Sequence, residues 1–147
     1  MTNLTTNYLG FELRTPLVAS ASTLSFDLDT IKRMEDAGIS AIVLYSLFEE
    51  ELEEEDFQRK HYIQAKQNMP ATSFGVLTER YLEHIRKVKE SVNIPIIASL
   101  NGCTPGGWTE IASLIQAAGA DAIELNLYEV PTDMNTTGRE MEEDYYE

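Results

Sequence analysis

The chain has 147 residues, of which 43% are hydrophobic and 24% charged, a composition typical of a single globular domain. It is too short for a closed eight-stranded α/β barrel, which takes about 250 residues. The formal charge of −14 argues against nucleic-acid and membrane-surface partners, because both kinds of binding depend on clustered Lys and Arg.

The cysteine content and the N-terminal sequence favour a cytoplasmic protein. Cys103 is the single cysteine, so neither an intrachain disulfide nor a cysteine-rich metal site can form. Residues 1–16 lack the basic segment and apolar core of a secretory signal. No apolar run approaches the roughly 20 residues that a membrane-spanning helix requires. We therefore predict no membrane segment and no bound metal.

Residues 1–16 are predicted to form a hairpin that closes the bottom of a barrel. Two short pieces of mixed polar and apolar residues lie on either side of Leu9-Gly10 within residues 4–14. A loose N-terminal arm is the alternative, because chain termini are often disordered.

Residues 17–147 are predicted to form four strand–helix units. Short apolar runs without strict alternation are typical of strands that are buried on both faces, in a parallel sheet covered by helices. Helices are expected between these runs, since Asp27 can cap the first helix and Gly38 and Gly119 can end the first and third. The predicted strands are residues 17–20, 41–44, 94–99 and 122–127.

The fourth unit looks interrupted. A helix is predicted to begin near Arg139, and the sequence stops at Glu147 after barely two turns. We therefore expect a parallel α/β fold that forms the N-terminal half of a (β/α)8 TIM barrel, with the fourth helix truncated.

Candidate site residues follow the predicted strands, because parallel α/β barrels build their active sites at the carboxyl ends of the strands. Small residues there allow a flat ring to approach the main chain, and asparagine amides can recognise a ring amide or imide. No His, Lys or Arg lies at a strand end, which favours chemistry supplied by a cofactor. The candidates are Ser20, Ala21, Ser22, Tyr45, Ser46, Asn101, Gly102, Cys103, Glu124, Asn126 and Glu129.

Each candidate also has a purely structural interpretation. Residues 20–22 can pack closely in a turn, Asn101-Gly102 is a common turn pair, and Asn126 can cap a strand end. Cys103 and Glu129 are candidates for a catalytic group. A small buried apolar side chain and an exposed carboxylate are their respective alternatives.

Three segments resemble those of dihydroorotate dehydrogenases. Residues 16–22 (PLVASAS) are similar to the first-strand motif, whose small residues lie against FMN, and residues 95–102 (PIIASLNG) resemble the third-strand segment. Residues 118–126 (AGADAIELN) resemble the Ala-Asp-x-x-Glu-Leu-Asn motif, whose Asn contacts flavin and substrate. Together the segments extend over nearly the whole chain in the family's order, and the resemblance implies a barrel of roughly twice this length.

The resemblance implies an FMN-dependent oxidoreductase of the kind found in pyrimidine biosynthesis. Such an enzyme transfers a hydride from a saturated ring C–C bond of a small molecule to the flavin, while a base removes the neighbouring proton. It further implies substrate binding by Asn126. The implied FMN-binding residues are Ser20, Ala21, Ser22, Ser46, Asn101 and Asn126.

The chain departs from the family pattern at two places. Tyr45-Ser46 stands where many members have Lys-Ser, and residues 128–131 (YEVP) stand where the family has Ser-Cys-Pro-Asn, so the base is not identified. The phosphate-binding loops of the family follow strands seven and eight, and a further Lys comes from strand five. We therefore expect the isolated chain to bind FMN weakly or not at all.

Two other functions remain open. An inactive, truncated half-barrel could act only by self-association, because the open edges of its first and fourth strands invite pairing into a homodimer. Another flavin barrel enzyme, such as a dihydrouridine synthase, is the second alternative. The charge of −14 argues against its tRNA substrate.

Overall fold

A computed structural model describes residues 3–52, 75–102, 108–127 and 131–144 of the chain. Short strands alternate with helices from residue 18 onwards, after an initial pair of strands. In chain order the elements are β1 (Thr6–Tyr8), β2 (Phe11–Leu13), β3 (Val18–Ala19), a 3₁₀ helix (Thr23–Phe26), α1 (Leu28–Asp36), β4 (Ala41–Phe48), α2 (Val76–Ser91), β5 (Ile96–Gly102), α3 (Trp108–Ala118), β6 (Ala122–Leu127) and α4 (Gly138–Asp144).

The first two strands form the predicted hairpin. β1 pairs with β2 in antiparallel register, and the connecting residues Leu9 and Gly10 have positive φ values of 51° and 84°. A two-residue turn with positive φ at both positions matches the twist of the flanking strands, and glycine adopts this conformation without strain. The hairpin is therefore confirmed, and the loose-arm alternative is wrong.

The remaining strands form one parallel sheet in the order β3-β4-β5-β6. α1 connects β3 to β4, α2 lies between β4 and β5, and α3 connects β5 to β6. Sequential parallel strands joined by helices, with a hairpin ahead of them, form half of an α/β barrel. The predicted fold class is confirmed.

Two strands extend beyond their predicted ends. β4 continues to Phe48, so Tyr45 and Ser46 lie inside this strand and not after it. β5 continues to Gly102, so Asn101 also lies within a strand. The prediction ended β4 before Tyr45 and β5 at Ser99, but Ser46 and Asn101 occupy the face of the sheet that the helices do not cover. Strand pairing continues past them because main-chain hydrogen bonding does not require apolar side chains.

One face of the sheet packs against the helices and forms the core. Alternate residues of each strand point to this face, and apolar residues of α2 and α3 cover them. The fully buried residues of this core include Ile31, Ile42, Leu44, Ile85, Val88, Ile96, Ala98, Leu100 and Ile115.

None of the helices in the described ranges is long and apolar enough to cross a bilayer.

The helix ends follow the predicted signals. The Asp27 side chain accepts a hydrogen bond of 2.8 Å from the Thr30 N–H at the start of α1. Gly38 and Gly119 have φ values of 107° and 97° directly after α1 and α3. Both glycines therefore end their helices in the left-handed conformation that side chains with a Cβ rarely adopt. α4 begins at Gly138, beside the predicted start.

Asp121 joins three elements at the amino end of the sheet. Its carboxylate accepts hydrogen bonds from the Ile96 N–H at 2.7 Å and from Lys89 of α2 at 2.7 and 2.8 Å. Its own N–H donates to the Ile96 carbonyl at 2.9 Å. The aspartate therefore fixes the starts of β5 and β6 relative to α2.

We predict that Asp121→Ala lowers the free energy of unfolding by about 1–3 kcal/mol, because the Ile96 N–H and the Lys89 ammonium lose their acceptor. Urea denaturation at neutral pH measures the change. Glu83→Ala is the control, since it removes an acid from the exposed Glu83–Lys87 pair and should change stability little. Equal losses in the two variants would contradict this role of Asp121.

Candidate functional site

β4 contains one more residue than β5 over the same length of sheet. Val43 pairs with Ile97 and Ser46 pairs with Ser99, with a register shift between the two pairs. A bulge of this kind reorients the side chains that follow it. Tyr45 packs against the core on the helix side, whereas the Ser46 hydroxyl lies 2.9 Å from the Ser99 hydroxyl on the opposite, inner face.

The hydroxyl of Tyr81, on α2, fills the gap that the bulge leaves in the strand ladder. It accepts a hydrogen bond from the Ser99 N–H at 2.9 Å and donates one to the Ser99 carbonyl at 3.2 Å. Tyr81 is 1% exposed, and burial raises the pKa of its hydroxyl above the ordinary range. The phenol therefore remains protonated and able to donate, and it fixes the position of Ser99.

Five polar side chains meet around Ser99 on the inner face; we call them the inner-face cluster. The Ser99 hydroxyl lies 2.9 Å from Ser46 Oγ, 3.2 Å from Glu124 Oε1 and 3.4 Å from Asn126 Nδ2. Asn126 Nδ2 also donates to Asn101 Oδ1 at 2.8 Å. Parallel pairing places Ser99 beside Glu124 and Asn101 beside Asn126, which explains why the side chains converge.

Three predicted cofactor-binding residues belong to this cluster, namely Ser46, Asn101 and Asn126. The other three line two separate cavities. Ser20 lines one of about 420 Å³, which also contains Glu124 and residues of the hairpin. Ala21 and Ser22 line one of about 430 Å³, which Ser46 also lines.

The structure does not describe the positions of every candidate. Cys103 and Glu129, the two candidates for a catalytic group, lie outside the described residues. The same holds for the rest of the YEVP segment up to residue 130.

Sequence reasoning missed Ser99 and Tyr81 and gave Glu124 no role. The sequences of β5 and β6 do contain a signal for Ser99 and Glu124. Polar residues occur at every second position, as Ser99 and Asn101 in β5 and as Glu124 and Asn126 in β6. This alternation indicates a polar face within strands that had been interpreted as apolar on both faces. The part played by Tyr81 has no comparable signal.

The loop that follows β3 is fixed by Ser25, which is 1% exposed. The Ser25 hydroxyl accepts a hydrogen bond of 2.7 Å from the Tyr45 N–H and donates one of 2.8 Å to the Ser22 carbonyl. His84 of α2 donates from Nε2 to the Ser25 carbonyl at 2.7 Å, and burial lowers the pKa of its imidazole. The predicted cofactor residues Ala21 and Ser22 are therefore held against β4 and α2.

We predict that Tyr81→Phe lowers the free energy of unfolding by about 1–3 kcal/mol, because it leaves the buried N–H and C=O of Ser99 unpaired. Tyr45→Phe is the matched control. It removes the hydroxyl of a neighbouring, half-buried tyrosine, whose ring centroid lies 5.1 Å away. Urea denaturation measures both variants, and a Tyr81→Phe variant as stable as Tyr45→Phe would disprove the role of the hydroxyl.

The sequence is similar to those of two archaeal proteins, whereas no protein-family model matches it. The catalytic subunit of dihydroorotate dehydrogenase B (NAD(+)) from Methanocella arvoryzae is 31% identical over an alignment of 135 positions, which covers 84% of this chain and 40% of that protein. A protein of Aeropyrum pernix predicted to be dihydroorotate dehydrogenase A (fumarate) is 53% identical over 38 residues, which are 26% of this chain and 12% of that protein.

The chain thus spans less than half the length of either relative. The longer match covers 84% of the chain and is therefore not confined to one motif. Both matches support a relationship to dihydroorotate dehydrogenases, as the three sequence motifs predicted.

Proposed function

We propose that the chain is part of an FMN-dependent oxidoreductase similar to dihydroorotate dehydrogenase, and that its inner-face cluster binds the flavin ring and a ring substrate. The observation that supports this best is the 2.8 Å hydrogen bond between Asn126 and Asn101. It places two side-chain amides side by side on the uncovered face of the sheet. Such a pair can bind the alternating N–H and C=O groups at the edge of a flavin or pyrimidine ring.

The described residues fit the ring of FMN. Asn101 and Asn126 would hold its polar edge, and the Ser46 hydroxyl offers a further hydrogen bond beside them. Ala21 and Ser22 are small enough for a flat ring to lie near the main chain, and they line a cavity that Ser46 also lines. Bound FMN would supply the acceptor for a hydride, and the side chains would bind and orient the ring substrate.

The inner-face cluster itself contains little acid–base chemistry. Glu124 is its one ionisable member, and the Ser99 hydroxyl lies between this carboxylate and the asparagines. The cluster is therefore suited to holding polar groups of a ring in place. We propose no catalytic base among the described residues.

The test uses the native protein purified from its source. We expect it to release FMN on denaturation and to reduce a redox dye when dihydroorotate is added without oxygen. Asn126→Ala should weaken FMN binding about tenfold or more, because hydrogen bonds to the ring are lost. Asn135→Ala, which makes the same change in the exposed segment before α4, is the control. A native protein without flavin would refute the proposal.

The recombinant 147-residue chain gives a second measurement of FMN affinity. Quenching of flavin fluorescence during a titration with FMN reports its binding. We expect a dissociation constant weaker than micromolar, because the family's phosphate loops and its strand-five lysine have no counterpart in these residues. Near-micromolar affinity would overturn the expectation of weak binding.

We also propose that the chain self-associates through the edges of its sheet. β3 and β6 are the outer strands, and each has an exposed leucine beside it or at its end, Leu17 (57% exposed) and Leu127 (43% exposed). Pairing of β3 in one copy with β6 in another would cover both leucines and close two half-barrels into a ring.

Sedimentation velocity tests the self-association. We expect a dimer at micromolar concentration, and we expect Leu127→Lys to shift it towards the monomer, because a charge would be buried at the strand edge. Glu143→Gln, an exposed substitution on α4 that also raises the net charge by one, is the control for the change in net charge. A wild-type chain that remains monomeric at every concentration would rule the dimer out.

A further inference from the structure

We propose that Glu124 is a positioning residue that sets the direction of the hydrogen bonds in the inner-face cluster. Through Ser99, it makes Asn126 present a hydrogen-bond acceptor and Asn101 a donor to whatever binds there. The inference rests on the proposed function, since the inner-face cluster is the site at which that function binds a ring. The inference extends the proposed function by stating which side-chain atom of each asparagine faces the ligand.

The first step concerns the hydrogen of the Ser99 hydroxyl. A carboxylate can only accept hydrogen bonds, and Glu124 Oε1 lies 3.2 Å from Ser99 Oγ. Ser99 is the one side chain of the described ranges that donates to Glu124, and a serine has a single hydroxyl hydrogen. That hydrogen therefore points to Glu124.

The second step concerns the oxygen of the same hydroxyl. Once its hydrogen points to Glu124, Ser99 Oγ can only accept from its other neighbours. Ser46 Oγ at 2.9 Å must then be a donor, and so must the Asn126 side-chain atom at 3.4 Å. Only the amide nitrogen of Asn126 can donate, because its carbonyl oxygen would face the lone pairs of Ser99. The carboxylate thus selects one of the two orientations of this amide.

The third step passes the direction on to Asn101. The amide nitrogen of Asn126 also donates to Asn101 Oδ1 at 2.8 Å, so the oxygen of Asn101 faces Asn126. Asn126 Oδ1 and Asn101 Nδ2 have no hydrogen-bond partner among residues 3–52, 75–102, 108–127 and 131–144. Asn126 is exposed and Asn101 half-buried, so neither side chain is enclosed by the described residues.

This arrangement specifies the order of groups on the ligand. A ring with an N–H beside a C=O, as in a cyclic amide or imide, can donate to Asn126 and accept from Asn101. A ring edge with two adjacent acceptors would place one of them against the oxygen of Asn126, which is repulsive. The cluster therefore favours one orientation of a ring amide over the reverse.

NMR of the ¹⁵N-labelled chain measures the orientation directly, through the exchange of side-chain amide protons with water. We expect the Asn126 side-chain protons to exchange more slowly than those of Asn101. In Glu124→Gln the new amide can donate to Ser99 and release Asn126, so exchange at Asn126 should accelerate about tenfold, as for the loss of one hydrogen bond. Ser99→Ala breaks the same connection and should have the same effect.

Glu12→Gln is the matched control, because Glu12 is an exposed residue of β2 and the substitution removes the same charge. It should leave the exchange at Asn126 unchanged. Thermal unfolding of all variants separates positioning from a general loss of structure. Acceleration in Glu124→Gln at an unchanged melting temperature supports the inference.

Two results would overturn it. One is unchanged exchange at Asn126 in Glu124→Gln, and the other is exchange in the wild type that is faster at Asn126 than at Asn101. FMN titration of the native protein keeps this test separate from that of the proposed function. Accelerated exchange in a protein that does not bind FMN supports positioning by Glu124 and refutes the flavin site. FMN binding together with unchanged exchange supports the flavin site and refutes the positioning.

Discussion

The hydrogen bonds between the Tyr81 hydroxyl and the main chain of Ser99 allow β4 to contain an additional residue. Without them, the bulge would leave an N–H and a C=O unpaired in a fully buried position, at a cost of about 1–3 kcal/mol for each group. With them, β4 and β5 stay paired on both sides of the bulge. The bulge in turn directs Tyr45 to the core and Ser46 to the inner face, so the inner-face cluster depends on a side chain from a helix.

The two faces of the sheet differ in what stabilises them. The helix-facing side is an apolar core in which Ile42, Leu44 and Leu100 have no exposed surface. The inner face is joined by hydrogen bonds among Ser46, Ser99 and their neighbours. Apolar burial is tolerant of orientation, whereas each polar contact requires a donor to meet an acceptor. The core therefore supports the fold, and the inner face determines which polar groups can bind.

Much of the fold followed from local signals in the sequence, and less of the site did. Leu9-Gly10 predicted the hairpin turn, and Gly38 predicted the end of α1, because each signal acts on adjacent main-chain groups. The predicted end of β4 was wrong, since a bulge at Tyr45 has no glycine or other local marker. Its position depends on Tyr81, which is distant in the sequence. The contacts of Ser99 were missed for the same reason, because they join three strands and a helix.

α2 holds two parts of the site at once. Tyr81 fixes Ser99 at the bulge, and His84, one turn further along the same helix, fixes Ser25 beneath the loop that contains Ser22. A shift of this helix would move both parts together, because a helix behaves as a rigid body over a single turn. The width of the space between the loop and the inner-face cluster is thus tied to the position of α2. Adapting this space to a larger or smaller ring would require repacking of the helix, in addition to a change of one side chain.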